Sequence, residues 1–467
     1  MSISLLSFSV GNFKSFREIQ TLVFHAGDPS DKDAEANRVS VLLGANASGK
    51  SNILEALQFA LLAIRQSATA WLEDDIYFRN LVTPFLLDDL SSAEPSFFEL
   101  DFIVEKTRYL YGFEYDREGV VREWMYYVPR RNWTPVLKRE ARPDPVWRWN
   151  SSAVPKSQQK ELERGGGREL ALSLAARSNL EGIGSVARNL TDGVTYLPLG
   201  DSKKDQRLTQ VAKAMREGKV KLSEVTMMMQ AADTGIENVA IDEDNLPARL
   251  VNLAKSLTQT LTERQRDVGT ESPLPGFSIS PEKGAYIEMS DENLKAIAYQ
   301  LMFSHRGDQG AKPLKTADQS DGTLTWLSAA PNIVDALRDG SVIIADELDS
   351  SLHSQLLGLV VESFTDELTN INDAQLIFSA HDTNLLEHRR ELGLHESAFW
   401  FVEKNSIGVS EIYPLTDFTN HQDANYERRY LYGRYGAIPH VSPALIRGLV
   451  HMPRDVDNTS VEREIDD

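Results

Sequence analysis

Cysteine is absent from the 467 residues. That excludes disulfides and thiolate-held zinc, and it fits the cytoplasmic location expected here. No run of about 18 apolar residues occurs, so no membrane-crossing helix is expected. The opening stretch MSISLLSFSVGNFKSF has neither a basic leader segment nor a cleavage site, so no signal peptide is expected. Basic charge is scarce: 49 Lys and Arg stand against 69 Asp and Glu, a net charge of −20. A chain this acidic does not coat DNA by charge alone, although local basic patches stay open. Sustained heptads are missing, which excludes a long coiled coil. No Cys–His pair and no second carboxylate cluster with metal-ligand spacing stands out, so no nuclease, protease or transferase centre is expected within the chain. The length allows two or three domains of ~150 residues.

What is present begins at Val39–Leu54, VSVLLGANASGKSNIL. The apolar run Val39, Val41, Leu42, Leu43 reads as a strand. Gly44 to Ser51 fills every defined position of G-x-x-x-x-G-K-S, and Ile53, Leu54, Leu57, Ala60, Leu61 and Ile64 then recur at helical spacing. Glycines let such a loop wrap a phosphate chain closely, and the amides at the helix start point at it. Lys50 is expected to reach the β- and γ-phosphates, and the Ser51 hydroxyl to hold Mg²⁺. Nucleotide binding is the first functional expectation.

Three further stretches fit around that loop. SVIIADE (341–347) is a buried-strand run ending in two acids. At a strand end beside a phosphate loop, Asp346 suits the Mg²⁺ shell and Glu347 suits the orientation and deprotonation of an attacking water. Gln319-Ser320-Asp321-Gly322-Thr323 opens a helix, where Ser320 or Asp321 serves as an ordinary cap or as part of an anion site. QLIFSAHDTNL (375–385) is a strand ending at Ser379-Ala380-His381, which places His381 to bond a γ-phosphate or the water.

Along the rest of the chain, residues 1–24 read as two or three strands with a turn at Gly11-Asn12. Residues 80–128 read as an antiparallel meander. Residues 129–149 interleave Trp133, Trp147 and Trp149 with Arg130, Arg131, Lys138, Arg139, Arg142 and Arg148. That stretch is either a hairpin with packed tryptophans and one solvated face or a nucleic-acid contact. Residues 151–195 are polar, 203–232 and 244–265 read as helices, 266–275 as a linker, and GFSISPEKGAYIEM as a hairpin.

Together these motifs resemble the ABC-type ATPase head of the SMC and OLD kind, within the AAA-family grouping, over essentially the whole chain. The resemblance implies an α/β fold: a P-loop head with a mixed sheet, an antiparallel β subdomain and an inserted short helical arm. It divides the chain into 1–150 and 276–451 as the two halves of the head, 151–275 as the arm and 452–467 as an acidic tail expected to be disordered. It implies ATP and Mg²⁺ as the bound species, with Asn46, Ser48, Gly49, Lys50, Ser51, Asn52, Ser320, Gly322 and Asp349 on the nucleotide. Glu347 and His381 are the catalytic candidates, and Ser51 and Asp346 the Mg²⁺ ligands. Ser320–Thr323 is similar to the signature motif of such heads, Asp349 to their D-loop residue and His381 to their switch histidine. The resemblance also implies a homo-oligomer of ATP-sandwiched dimers, the signature of one copy closing on the nucleotide of the other. The departure is SDGT in place of SGGQ, because an Asp beside a phosphate is electrostatically awkward.

AADTGIENVAI (231–241), Phe303-Ser304-His305 and RRYLYGRYGAIP (428–439) are similar to ATPases of bacterial anti-phage defence loci, of the PARIS and RloA/RloB sort, which pair with a separate TOPRIM-type nuclease. The expected function is therefore an ATP-driven switch controlling an effector nuclease; nucleic acid stays a possible partner and a membrane does not. An SMC-like DNA repair ATPase is the alternative, weakened by the short arm and the acidic charge. A transporter ATPase is disfavoured because 276 residues separate Gly44 from Ser320. A self-contained OLD-type nuclease is disfavoured because only 86 residues follow His381.

Overall fold

The structure, a computed structural model, describes residues 3–27, 34–73, 75–142, 144–200, 204–243, 248–268, 278–282, 284–290, 295–306, 312–350, 352–419, 424–438 and 442–451. The acidic tail 452–467, most of the linker 266–275 and Pro439 of the Tyr/Gly/Arg-rich segment lie outside them. Among the described residues no helix is long and apolar enough to cross a membrane.

At the centre is a six-stranded sheet. From one edge its order is Ser410–Pro414, Phe399–Lys404, Val39–Leu43, Gln375–Ser379, Val342–Asp346 and Val194–Pro198. The first pair is antiparallel and every other pairing is parallel. Val39–Leu43 and Gln375–Ser379 are buried at all five positions, as strands covered on both faces must be. Alternation sends their side chains to two cores. Leu42, Ile344 and Ile377 join one hydrophobic cluster, and Val41, Leu43, Ile343, Ala345 and Phe378 the other.

The first cluster is roofed by a seven-stranded antiparallel sheet. Its order is Gln20–Val23, Ile3–Gly11, Ser96–Val104, Thr107–Asp116, Gly119–Tyr127, Thr134–Glu140 and Val146–Trp149. The helix Lys50–Gln66 lies in this core with Ile53, Leu54, Leu57, Ala60, Leu61 and Ile64 buried, the set its 3.6-residue spacing predicted. The second cluster lies on the other face of the central sheet, against the helices Lys204–Arg216, Leu222–Ala231 and Asp321–Asp339. A third, smaller antiparallel sheet is built from Ile236–Asp242, Lys295–His305, Ala285–Ser290 and Ser278–Glu282, with Lys312–Lys315 on Lys295–His305.

The Trp/Arg stretch forms the hairpin of Thr134–Glu140 with Val146–Trp149. Trp147 and Trp149 stack at 5.0 Å and 7° and pack against the first core. Arg139 is buried over the Trp147 ring and beside Glu123, and Arg142 bonds Asp116 and Glu118. Lys138 and Arg148 are cross-strand partners on the solvated face. Arg139 and Arg142 are thus paired within the fold while Arg130, Arg131, Lys138 and Arg148 are exposed, and the packed tryptophans match the hairpin reading.

Residues 151–195 hold more structure than their polarity suggested: the helices Lys156–Leu162, Ala171–Arg177 and Ile183–Asp192 lead straight into Val194–Pro198. The segment expected as an inserted arm therefore also supplies an edge strand of the central sheet, paired with Val342–Asp346.

Candidate nucleotide site

Parallel strands place their C-terminal ends on one edge of the sheet, and a ligand crevice opens there. Val39–Leu43 ends in the glycine loop, Val342–Asp346 in the two acids and Gln375–Ser379 in the histidine turn. The middle strand of these three carries His381, so the histidine turn lies between the loop and the acids. The cleft they form, about 670 Å³, is lined by Asn46, Ala47, Ser48, Gly49, Lys50, Ser51, Asn52, Glu347, His381 and Lys404.

The loop's geometry explains its glycines. Gly49 begins the helix at φ 117°, and a Cβ there would stand 2.5 Å from the Ser410 hydroxyl. At Gly44 a Cβ would collide with the main-chain carbonyl of Val402. Both positions therefore exclude any other residue. Behind the loop, Ser410 donates its one hydroxyl proton to the Ser48 carbonyl at 2.6 Å and accepts from the Ser15 hydroxyl at 2.8 Å, and Asn52 donates to Ser15 Oγ at 2.7 Å. The Asn12–Phe16 turn thus braces the phosphate loop, and its Lys14 pairs with Glu55 of the following helix.

Lys50 is 5% exposed. Its ammonium donates to the carbonyls of Gly44 at 2.7 Å and Ala45 at 3.2 Å and lies 3.5 Å from His381 Nδ1. Burial pushes its pKa down, and the nearby carboxylates of Asp349, Asp346 and Glu347 offset part of that shift.

The acid turn and the histidine turn are stitched to each other. The Ser379 hydroxyl donates to Asp346 Oδ1 at 2.6 Å and accepts from the Glu347 N–H at 2.8 Å. In return Asp349 Oδ2 accepts from the N–H groups of His381 at 2.7 Å and Asp382 at 2.8 Å. Glu347 sits at φ 58°, a left-handed conformation that costs a non-glycine residue ~1–3 kcal/mol and persists only where neighbours enforce it.

The residues present fit a Mg²⁺-bound nucleoside triphosphate. The glycine loop and the helix start line the cleft, and Ser51 and Asp346 offer the hard oxygen donors that Mg²⁺ selects. The Ser48 hydroxyl and Asp349 Oδ1 are buried without a partner among the described residues.

Of the residues singled out in the sequence, Asn46, Ser48, Gly49, Lys50, Ser51, Asn52, Glu347 and His381 come together in the cleft. Asp346 and Asp349 stand directly behind it. Ser320 and Gly322 are not brought there. Ser320 caps the helix Asp321–Asp339, accepting from the Thr323 N–H at 3.2 Å, and its side chain is exposed. The awkward Asp321 is held by Lys204, whose ammonium lies 2.8 Å from its Oδ1 with only 9% of the side chain exposed. Two residues escaped the sequence reading. Lys404 ends a buried strand and faces the cleft, and Lys204 reaches Asp321 from a helix far away in the chain. Neither carries a motif; only the pairing of strands and helices reveals them.

Comparison with known proteins adds the following. No curated protein matches the chain. A solved structure described as "Crystal structure of the SmcHead bound to the C-winged helix domain of ScpA" is similar at 13% identity and a TM-score of 0.38, over 88% of this chain and 96% of that one. The model of a family described as "AAA domain, putative AbiEii toxin, Type IV TA system" matches residues 39–211 and 228–387. That match spans the phosphate loop, the acid turn and His381, and the chain belongs to this family of AAA domains.

Proposed function

We propose that the chain is an ATP-binding and ATP-hydrolysing switch of a prokaryotic anti-phage defence system, acting on a separately encoded effector, a TOPRIM-type nuclease. The observation that carries the ATPase reading is the convergence of Lys50, Glu347 and His381 on one cleft from three adjacent strand ends.

In this reading the loop amides and Lys50 bind the phosphate chain. Bound Mg²⁺, held through Ser51 and Asp346, neutralises phosphate charge. Glu347 orients a water and takes its proton, and His381 hydrogen-bonds the γ-phosphate or that water. Ser320 and Gly322 lie away from their own chain's cleft. That supports a composite site, in which the signature of a second copy meets the γ-phosphate and Asp349 lies at the junction. Loss of that phosphate then releases the two copies, so turnover is a conformational signal.

The family description names a toxin of a type IV toxin–antitoxin system, which supports a role in a toxic or abortive response. The sequence stretches similar to the ATPases of defence loci support the nuclease partner. The test is to express the chain alone and with its genomic neighbour, then to assay toxicity and nucleic-acid cleavage. The reading expects cleavage only with the neighbour present and dependent on Lys50 and Glu347. Metal-dependent cleavage by the purified chain alone would contradict it.

A further inference from the structure

We infer that Ser379 is a positioning residue for ATP hydrolysis, one hydroxyl that fixes both acids of the site at once; this rests on the ATPase reading above. Asp346 and Glu347 are adjacent in the chain and point to different tasks. Asp346 leaves the strand in extended conformation, and Glu347 turns into the left-handed region at φ 58°. Such a turn needs an outside restraint.

The fully buried Ser379, at the end of the neighbouring strand, provides it. An ionised carboxylate only accepts, so the single Ser379 proton is committed to Asp346 Oδ1 at 2.6 Å. A lone pair of the same oxygen is then left for the Glu347 N–H at 2.8 Å. The main chain repeats the grip, with the Leu348 N–H donating to the Ser379 carbonyl at 3.1 Å. A hydroxyl is the smallest group that donates to one acid and accepts from the backbone of the next. Alanine does neither, and a thiol does both weakly.

The consequence is specific. One oxygen of Asp346 is occupied by Ser379, which leaves the other for the Mg²⁺ shell and fixes its direction. The Glu347 carboxylate is aimed by a backbone that Ser379 holds. Partners that orient a metal ligand typically contribute 10- to 100-fold to metal affinity or activity. Ser379 also joins these acids to the His381 turn, which Asp349 bonds in return.

The experiment uses the full chain with Ser379→Ala, Ser379→Thr, Ser379→Cys and Glu347→Gln, reading kcat, KM for ATP and the Mg²⁺ concentration for half-maximal turnover. Ser379→Ala is expected to lower kcat about 10- to 100-fold and to raise the Mg²⁺ requirement about tenfold, with KM for ATP at saturating Mg²⁺ little changed. Ser379→Thr keeps the hydroxyl and is expected to recover most of both losses. Should Ser379→Ala not fold, the nearly isosteric Ser379→Cys is expected to show the same split. Wild-type kcat and Mg²⁺ dependence in Ser379→Ala or Ser379→Cys would overturn the inference, as would equal losses in Ser379→Thr and Ser379→Ala. The ATPase reading fails separately, by wild type turning over no faster than Glu347→Gln. In that event the Mg²⁺ dependence of ATP binding by wild type and Ser379→Ala still decides the role of Ser379: a tenfold shift supports it and no shift overturns it.

Discussion

Lys204 and Asp321 lie 117 residues apart in the chain and 2.8 Å apart in space. The pair accounts for the acid in the Ser320–Thr323 stretch. The lysine is almost wholly buried while the aspartate is largely exposed, so the cation is held in place and the carboxylate is drawn to it. The start of the Asp321–Asp339 helix thus presents an ion pair rather than a bare carboxylate.

Lys204→Ala should therefore impair turnover more than Asp321→Asn does, because it takes the buried cation away from the Asp321 carboxylate. The double variant should recover much of what Lys204→Ala loses. A double-mutant cycle on ATPase rate measures this coupling. Strict additivity would show that the pair plays no part in turnover.

Glu347→Gln should keep ATP binding and lose turnover by ~10²–10⁴-fold, the usual contribution of a positioned general base. Equilibrium binding with a fluorescent ATP analogue, set beside single-turnover hydrolysis, separates the two effects. Normal hydrolysis in the variant would remove Glu347 from the role of base.

The buried ammonium of Lys50 is expected to cost the nucleotide-free fold stability. Its folded-state pKa is below the ordinary 10.5. Below that lowered value the charged, desolvated ammonium costs the folded state stability. As pH rises from the lowered value to 10.5 the unfolded chain holds the extra proton, so the cost fades. Lys50→Met should therefore bind no ATP, yet melt above wild type at neutral pH without nucleotide. The gap should narrow as pH approaches 10.5. Thermal melts of both proteins across that range test the sign; a gap that widens with pH would contradict it.

Chains carrying Lys50→Ala mixed with chains carrying Ser320→Ala should regain about one working site per mixed pair. Neither variant alone should be active, because each fails at a different half of the composite site. ATPase rate against mixing ratio reads the rescue. A flat, inactive profile would place both motifs on the nucleotide of one chain or require both sites to fire together.

The sequence displayed the parts of the site with local signatures. Gly44 to Ser51 announces itself because its glycines answer to close backbone approach, and SVIIADE because a strand buried on both faces must be apolar throughout. The helix from Lys50 was legible from its period. Contacts that depend on pairing were not legible. The Val194–Pro198 strand is short and follows three helices in a polar stretch, so nothing local marks it as an edge of the central sheet. Lys404 and Lys204 look like ordinary surface lysines until the strand order and the helix packing place them. In the basic stretch 129–149 the hairpin was legible, but the acidic partners of Arg139 and Arg142 in neighbouring strands and turns were not.

The central claim is that the γ-phosphate joins two copies of the chain through the cleft of one and the signature of the other. Mass measurement of the Glu347→Gln chain in solution tests it most directly, because that variant is expected to hold ATP without consuming it. With ATP and Mg²⁺ the mass should shift from that of the nucleotide-free species to one containing paired copies. ADP should not produce the shift, and Ser320→Ala introduced alongside Glu347→Gln should abolish it. A mass that is the same with ATP, with ADP and without nucleotide would contradict the account.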